Sequence, residues 1–258
     1  MLRSMPVHVD LKDHVALVTL DDAAKKNAMT AELGLAFGEA IHKVSKSGAR
    51  VCVIRGAGGA FSGGGDLTML EWLGTLETTD AEAFMHEFYG RYLSVVDLPM
   101  PSIAAIEGAA VGAGLCMALA CDLRVLAGGT KLALNFAKLG IHAGMGATYL
   151  APLRLGHEFA AELLFTGRRF EAIEAQQHGM ASRLVPDGRA EDTAMTLAQE
   201  IASASPAAVR AMKRTLAVDK AELQRALIRE AAAQALSYKT KDFHEGVAAA
   251  KERRSPKY

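Results

Sequence analysis

Short apolar runs alternate with longer segments of helical periodicity through the first two thirds of the chain. The runs at residues 15–20, 51–55, 103–106 and 123–126 are typical of short buried strands. Thr30 is a candidate N-cap for a helix from Ala31 to about Val44, because apolar residues then recur at helical spacing. Alternating strands and helices predict an α/β core.

The last third of the chain, from Gly156 onward, has a helical pattern. Alanine-rich segments predict helices at residues 157–164, 190–202, 206–218, 221–235 and 240–254. Half of the 258 residues are hydrophobic, which is enough for one substantial core. We expect the helical third to pack on the α/β core or on a neighbouring subunit.

Charge and cysteine content narrow the classes of protein. Lys plus Arg and Asp plus Glu both number 29, so nothing indicates a nucleic-acid partner or a membrane surface. The apolar stretch at 103–120 is interrupted by Glu107 and glycines, which favours buried core over a membrane span. Residues 1–5 contain no apolar run of signal-peptide length. An odd count of three cysteines without metal-ligand spacing predicts no disulfide framework, no metal site and a reducing cytoplasm.

Two glycine-rich segments follow two of the predicted strands. The first covers residues 59–67 and the second residues 107–115, which lead into an apolar helix. Glycines let a substrate approach the backbone closely, and a helix N-terminus leaves N–H groups unpaired. Two such N–H groups from separate loops would form an oxyanion hole. For either segment alone, turns that only serve packing are the favoured interpretation.

A series of motifs resembles the crotonase (enoyl-CoA hydratase/isomerase) superfamily, in the family's order and over nearly the whole chain. The motifs lie at residues 25–29, 60–67, 101–108, 112–114, 121–124, 139–141, 164–168, 178–180 and 245–246. The resemblance implies an α/β fold: a crotonase-like spiral of ββα units followed by a C-terminal helical trimerisation region. Residues 1–200 would form the core and residues 201–258 the helical region of one continuous domain.

The same resemblance implies a ligand and an assembly. The substrate would be an acyl-CoA thioester that passes through an enolate-like intermediate, and the protein would form a homotrimer or a hexamer. Coenzyme A would be part of the substrate, with no permanently bound cofactor. The C-terminal helix, with Phe243 and Lys251, would lie near a subunit interface.

Site residues can be assigned by position within the matching motifs. The oxyanion-hole donors would be the N–H groups of Gly65 and Ala113, where Ala113 replaces a glycine usual in the family. The family resemblance also implies the residues of the coenzyme A site. Ala28 and Gly63 would contact the adenine, Lys25 or Lys26 the phosphates, and Leu67 would belong to the same site. Asp66 and Asp122 would have structural roles.

The chain departs from the family at both hydratase glutamates. Cys116 stands where one glutamate is expected, two residues after the Gly-Ala-Gly triplet, and Phe136 stands where the other is expected. Hydration of an enoyl-CoA uses both carboxyl groups, so these two positions argue against ordinary hydratase chemistry. Cys116 is either a nucleophile at a helix start or an inert wall residue.

His142 is the candidate replacement acid–base group, since a neutral imidazole suits proton transfer near pH 7. A hydrogen-bonded loop histidine is the structural alternative for His142, and His86 and Tyr149 are further candidates with structural alternatives of their own. The leading hypothesis is an enzyme of the hydratase/isomerase class that stabilises a thioester enolate. The alternatives are a non-catalytic acyl-CoA-binding protein, or an acyl-CoA hydrolase or decarboxylase that uses His142.

Overall fold

The computed structural model describes residues 6–258, so the prediction made for residues 1–5 lies outside the described residues. The strands of the described part are β1 (Val7–Lys12), β2 (Val15–Leu20), β3 (Val51–Gly56), β4 (Ser102–Ile106), β5 (Ala109–Val111), β6 (Leu123–Ala127), β7 (Lys131–Ala133), β8 (Arg169–Glu171) and β9 (Arg183–Val185). Its α-helices are α1 (Ala31–Lys46), α2 (Leu67–Thr75), α3 (Thr78–Leu93), α4 (Ala113–Ala120), α5 (Ala147–Leu155), α6 (His157–Thr166), α7 (Ala172–Gln177), α8 (Ala190–Ser203), α9 (Pro206–Leu216), α10 (Lys220–Ser237) and α11 (Lys241–Glu252).

Six strands form the main sheet, in the order β1-β2-β3-β4-β6-β9. β1 pairs antiparallel with β2, and the other neighbours pair in parallel. The four strands predicted from sequence are the central ones. Parallel strands covered on both faces are apolar along most of their length, and this is why their signal was strong. The edge strand β1 and the three-residue β9 are largely exposed or half-buried, which explains why the prediction missed them.

A second sheet of three short strands, in the order β5-β7-β8, stands beside the first. Two strands and then a helix recur along the chain, as β4-β5-α4 and again as β6-β7 before α5. The predicted α/β spiral of ββα units is therefore confirmed. Strands of three residues have too few positions to show a period, so the sequence did not reveal this second sheet.

Helix α1 begins where the sequence predicted. The Thr30 side chain accepts a hydrogen bond from the Leu33 N–H at 3.1 Å, which confirms the N-cap. Helix α8 covers one face of the main sheet with a stripe of small side chains: Ala190, Ala194, Ala198 and Ala202. These alanines lie at a spacing of four, on one face of the helix, and their size lets the helix approach the strands closely.

The C-terminal helices pack on their own chain. Helix α10 contacts α3 and α5, and α11 contacts α2. Phe243 is buried with its ring centroid 5.2 Å from that of Tyr238, and Lys251 pairs with Glu71 of α2 at 2.5 Å. Both residues predicted to lie near a subunit interface therefore have partners in the same chain: Tyr238 at the end of α10, and Glu71 in α2. The helical character of this region is confirmed, and its role in trimer formation stays a prediction.

Candidate active site

A cavity of about 200 Å³ lies where the two glycine-rich segments meet the C-terminal helices. Its walls come from the first glycine segment and α2, from α3, from the start of α4, from residues 135–145, and from α10 and α11. The apolar side chains of its wall are Leu67, Met69, Leu70, Met85, Phe88, Phe136, Leu139, Ile141 and Met145. The site is thus formed by segments that are distant in sequence.

Gly65 is held in place by hydrogen bonds that Gly64 and Asp66, its neighbours in sequence, form with Met29. The Gly64 carbonyl accepts from the Met29 N–H at 2.7 Å, and the Asp66 N–H donates to the Met29 carbonyl at 3.1 Å. Gly64 has φ 92°, and a Cβ there would lie 2.6 Å from the Val111 carbonyl oxygen, so only glycine fits. The Gly65 N–H itself has no acceptor within residues 6–258 and lines the cavity.

Ala113 supplies the second free donor as the first residue of α4. The preceding N-cap, Gly112, has φ 51° and ψ −120°, and its N–H donates to the Ala133 carbonyl at 2.8 Å. The left-handed backbone conformation therefore falls on Gly112, and the β-carbon of Ala113 is accommodated without strain. The Ala113 N–H is one of the unpaired donors of a helix N-terminus and finds no acceptor in the described part of the chain.

The two donors meet at one cavity, which Gly65 and Ala113 both line. The N-terminus of α4 adds the positive end of its dipole. An oxygen that gains negative charge between these N–H groups would be stabilised, as in an oxyanion hole. Helix α2 is capped by Asp66, whose carboxylate accepts from the Met69 N–H at 2.9 Å, so this aspartate has a structural role, as the sequence analysis expected.

No charged side chain lines the cavity within residues 6–258. Its polar side chains are Tyr89, Gln234 and Asn135. The Tyr89 hydroxyl donates to Gln234 Oε1 at 2.7 Å, and Gln234 Nε2 donates to the His142 carbonyl at 2.8 Å. Burial raises the pKa of Tyr89 well above its ordinary value, so the phenol stays neutral.

His142 lies outside the residues that line the cavity. Its side chain is exposed, and its ring Nδ1 lies 2.7 Å from the Ala143 carbonyl oxygen. The backbone N–H of His142 donates to Ser237 Oγ at 3.1 Å. His86 and Tyr149 also lie outside the lining, and the Tyr149 hydroxyl accepts from the Asp219 N–H at 3.1 Å. A catalytic role for His142 stays a prediction.

Cys116 and Phe136, the residues at the two positions where the family resemblance predicts glutamates, differ in their surroundings. Phe136 lines the cavity, whereas Cys116 is fully buried behind it, with its Sγ 3.8 Å from the Gly144 carbonyl. Burial raises the pKa of the Cys116 thiol well above its ordinary value. A thiolate nucleophile at Cys116 is therefore disfavoured, and the structure supports the inert alternative.

Glu230 is a buried carboxylate that the sequence analysis missed. It accepts from the Gly146 N–H at 2.6 Å, from the Thr148 N–H at 2.8 Å and from the Thr148 hydroxyl at 2.6 Å. These bonds hold the start of α5, directly after Met145, which lines the cavity with φ 61°. Burial raises the pKa of Glu230. The available signal was a charged residue on the same helix face as Leu223 and Leu227.

A second cleft, of about 1020 Å³, adjoins the cavity and shares Asn135, Leu139 and Ala250 with it. The cationic residues around this cleft are Lys26, Lys138, Arg169, Arg253 and Arg254. Lys25 faces elsewhere and lies 4.0 Å from Asp66. Thus Gly63, Gly65, Leu67 and Ala113 share the cavity and Lys26 borders the adjoining cleft, whereas Lys25, Ala28 and His142 line neither.

Comparison with known families gives one consistent result. The family model described as enoyl-CoA hydratase/isomerase matches residues 10–258. A putative enoyl-CoA hydratase of Thermus thermophilus is 34% identical over 249 residues, which cover 96% of this chain and 98% of the relative. The mitochondrial methylglutaconyl-CoA hydratase of Mus musculus is 32% identical over 253 residues, 95% of this chain and 79% of that protein.

Solved structures agree with these relatives. An enoyl-CoA hydratase from Mycobacterium avium subsp. paratuberculosis superposes with a TM-score of 0.85 at 26% identity, covering 98% of both chains. An enoyl-CoA hydratase from Bacillus halodurans gives a TM-score of 0.86 at 26% identity, covering 95% of this chain and 99% of the other. Fold and sequence thus define a crotonase-type protein. The chain belongs to the enoyl-CoA hydratase/isomerase family.

Among the helices of residues 6–258, none is long and apolar enough to cross a membrane. Within the same residues, no group of three or more His, Cys, Asp or Glu side chains is arranged to hold a metal ion.

Proposed function

We propose that this protein binds an acyl-CoA thioester and stabilises its enolate through the N–H groups of Gly65 and Ala113. The observation that carries the proposal is the pair of backbone donors, unpaired within residues 6–258, that line one cavity from two separate segments. Charge that develops on the thioester oxygen would find donors already in place, which lowers the cost of forming the enolate.

The phosphate-bearing part of coenzyme A would occupy the cationic cleft. Lys26, Lys138, Arg169 and Arg253 border it and suit the phosphates. Ala28 and Gly63 remain the proposed adenine contacts, and the Gly63 N–H donates to the Lys26 carbonyl at 2.8 Å, which ties the two segments together. Lys26 is favoured over Lys25 as the phosphate ligand, because Lys25 lies near Asp66.

The acyl group would be uncharged and short. An ionised group in the cavity would lose its hydration without gaining a charged partner. Benzene fills an apolar cavity of roughly 150 Å³ in another protein. A cavity of about 200 Å³ therefore suits an acyl group of that size or somewhat larger.

The reaction that follows enolate formation separates the remaining hypotheses. Hydration, as the relatives' names suggest, would consume the conjugated absorbance of crotonyl-CoA, whereas Phe136 and Cys116 supply no carboxylate for it. A hydrolase or decarboxylase would use His142 and release free CoA or carbon dioxide. A non-catalytic acyl-CoA-binding protein would hold the ligand without turnover. A cytoplasmic location belongs to the same proposal.

The oxyanion hole is tested with Ala113→Pro and acetoacetyl-CoA, whose enolate has its own ultraviolet band. Proline is compatible with the first position of a helix but has no N–H, so it removes the donor and leaves α4 in place. Losing one such donor costs roughly 3 kcal/mol, so we expect the apparent pKa of the bound ligand to rise by about two units.

The matched control is Ala31→Pro, which makes the same change at the first residue of α1, outside the cavity. This variant should titrate bound acetoacetyl-CoA like the wild type. Equal enolate fractions for wild type, Ala113→Pro and free ligand at every pH would refute the proposed oxyanion hole.

A further inference from the structure

Asn135 occupies the junction between the two cavities. It lines both the apolar cavity and the cationic cleft. The other residues that line both are apolar: Leu139 and Ala250. A thioester is the bond that joins an acyl group to coenzyme A. If the acyl group lies on one side and coenzyme A on the other, the thioester must pass this junction, and Asn135 has the polar side chain there.

The position of Asn135 relative to the oxyanion donors is also defined. Its Oδ1 lies 3.1 Å from the point that a Cβ on Gly112 would occupy, so the side chain packs against the residue directly before Ala113. Asn135 follows β7, and the Ala133 carbonyl of that strand accepts from the Gly112 N–H at 2.8 Å. The strand therefore holds the asparagine beside the start of α4.

The Asn135 carboxamide is unused by the protein. It makes no side-chain hydrogen bond with any of residues 6–258, although it is half-buried. An amide of this kind offers two N–H donors that either meet water or meet a ligand. Other polar groups of the cavity are already engaged, since Tyr89 and Gln234 bond each other.

We infer that Asn135 is a further catalytic residue, whose side-chain N–H donates to the thioester oxygen as it becomes an enolate. The inference rests on the proposed function. A carbonyl oxygen has two lone pairs, which Gly65 and Ala113 would occupy. The enolate oxygen has an additional lone pair. A donor that is used only after the charge has formed stabilises the enolate more than the bound thioester, and this is the condition for catalysis.

The test compares ligands that can and cannot form a stable enolate. Acetoacetyl-CoA reports the enolate by absorbance, and butyryl-CoA reports binding of an ordinary thioester by calorimetry. For Asn135→Leu, which keeps the size and removes the donor, we expect the bound enolate-to-keto ratio to fall about tenfold at a fixed pH. Butyryl-CoA should bind within about twofold of wild type, because the lost donor acts on the enolate. Asn135→Asp should lower the ratio further by charge repulsion.

Lys138→Ala is a control for which the reverse pattern is expected: weaker binding with an unchanged enolate-to-keto ratio. Lys138 borders only the cationic cleft, so its loss should weaken binding of both ligands equally and leave the enolate ratio unchanged. Thermal unfolding of each variant checks that it is folded, and Asn135→Ala repeats the measurement with a smaller side chain.

Two outcomes would overturn the role of Asn135 while leaving the oxyanion hole intact. In one, Asn135→Leu leaves the enolate ratio unchanged while Ala113→Pro lowers it. In the other, Asn135→Leu weakens butyryl-CoA as much as it lowers the enolate, which indicates a contact with the coenzyme A chain. If the wild type itself does not enrich the enolate over free ligand, both the inference and the proposed function are wrong.

Discussion

At the start of α4, Gly112 provides the backbone turn and Ala113 provides the free N–H. The turn into α4 needs a left-handed backbone, and Gly112 provides it with φ 51°. Ala113 can then be an ordinary helical residue with a free N–H. Alanine at position 113, where the family usually has glycine, therefore keeps the N–H available for the proposed oxyanion hole.

Glu230 gives a testable residue-scale effect on stability. Replacing it by Gln turns one acceptor oxygen into an NH2 group that faces donors on Gly146 or Thr148. We expect Glu230→Gln to lower the free energy of unfolding by about 1–3 kcal/mol in urea denaturation. Glu222→Gln, an exposed change on the same helix, is the control and should cost less than about 1 kcal/mol.

The difference in unfolding free energy between the wild type and Glu230→Gln should depend on pH with a defined sign. Burial raises the pKa of Glu230 above its ordinary value of 4.5, so the folded state keeps the proton longer than the unfolded state. The wild-type advantage over Glu230→Gln should be largest below pH 4.5 and decline as the pH rises, until the folded carboxyl ionises. An advantage that grows with pH would show that the folded state prefers the ionised carboxylate.

At the scale of elements, α2 joins the cavity to the C-terminal helices. Leu67, Met69 and Leu70 of α2 line the cavity, while the far end of the helix is fixed by Lys239, whose ammonium donates to the Gly74 carbonyl at 3.2 Å. Phe243 of α11 packs where Gly74 leaves room. The position of the cavity wall therefore depends on helices close to the C-terminus.

Gly74→Ala tests this coupling. A Cβ at Gly74 would lie 2.8 Å from Phe243 Cε1, and that ring cannot move freely because it is buried against Tyr238. We expect a loss of about 1–3 kcal/mol in the free energy of unfolding from overpacking. Weaker acyl-CoA binding should accompany it, measured by calorimetry, because α2 shifts.

The matched control for this element is Gly90→Ala in α3. Nothing lies within 4 Å of a Cβ at Gly90, so this substitution should stabilise the protein by about 0.5–1 kcal/mol through helix propensity. If Gly74→Ala is as well tolerated as Gly90→Ala, α11 does not constrain α2.

For the whole molecule, the exposed apolar side chains of the C-terminal region are a candidate interface. Leu216 at the end of α9 is 77% exposed, and Met212 one turn earlier is 54% exposed. Such side chains gain free energy when another subunit covers them. They are compatible with the predicted homotrimer or hexamer.

Sedimentation equilibrium should give three or six times the chain mass for the wild type. Leu216→Glu is expected to shift the protein toward smaller species, because it would bury a charge at the interface. Leu35→Glu, at an apolar position on α1 that is 51% exposed, should leave the mass unchanged. A monomeric wild type would contradict the predicted assembly.

Local sequence signals determined a large part of the architecture. Strands β2, β3, β4 and β6 were predictable because burial on both faces makes most of their positions apolar. The Thr30 cap and the long helices follow from propensity and periodicity, which act within a few residues. The family motifs added the positions of Gly65 and Ala113, since both donors belong to the backbone and need only the correct segment.

Only the tertiary structure decided which polar side chains reach the cavity. Tyr89 of α3 and Gln234 of α10 are 145 residues apart in sequence and form a hydrogen bond. The Glu230 carboxylate accepts hydrogen bonds from Gly146 and Thr148, which lie 84 and 82 positions earlier in the chain. His142, the candidate acid–base group of the sequence analysis, lies outside the cavity lining, whereas Asn135 reaches the junction of both cavities. Side-chain direction depends on how distant elements pack, and no local pattern records it.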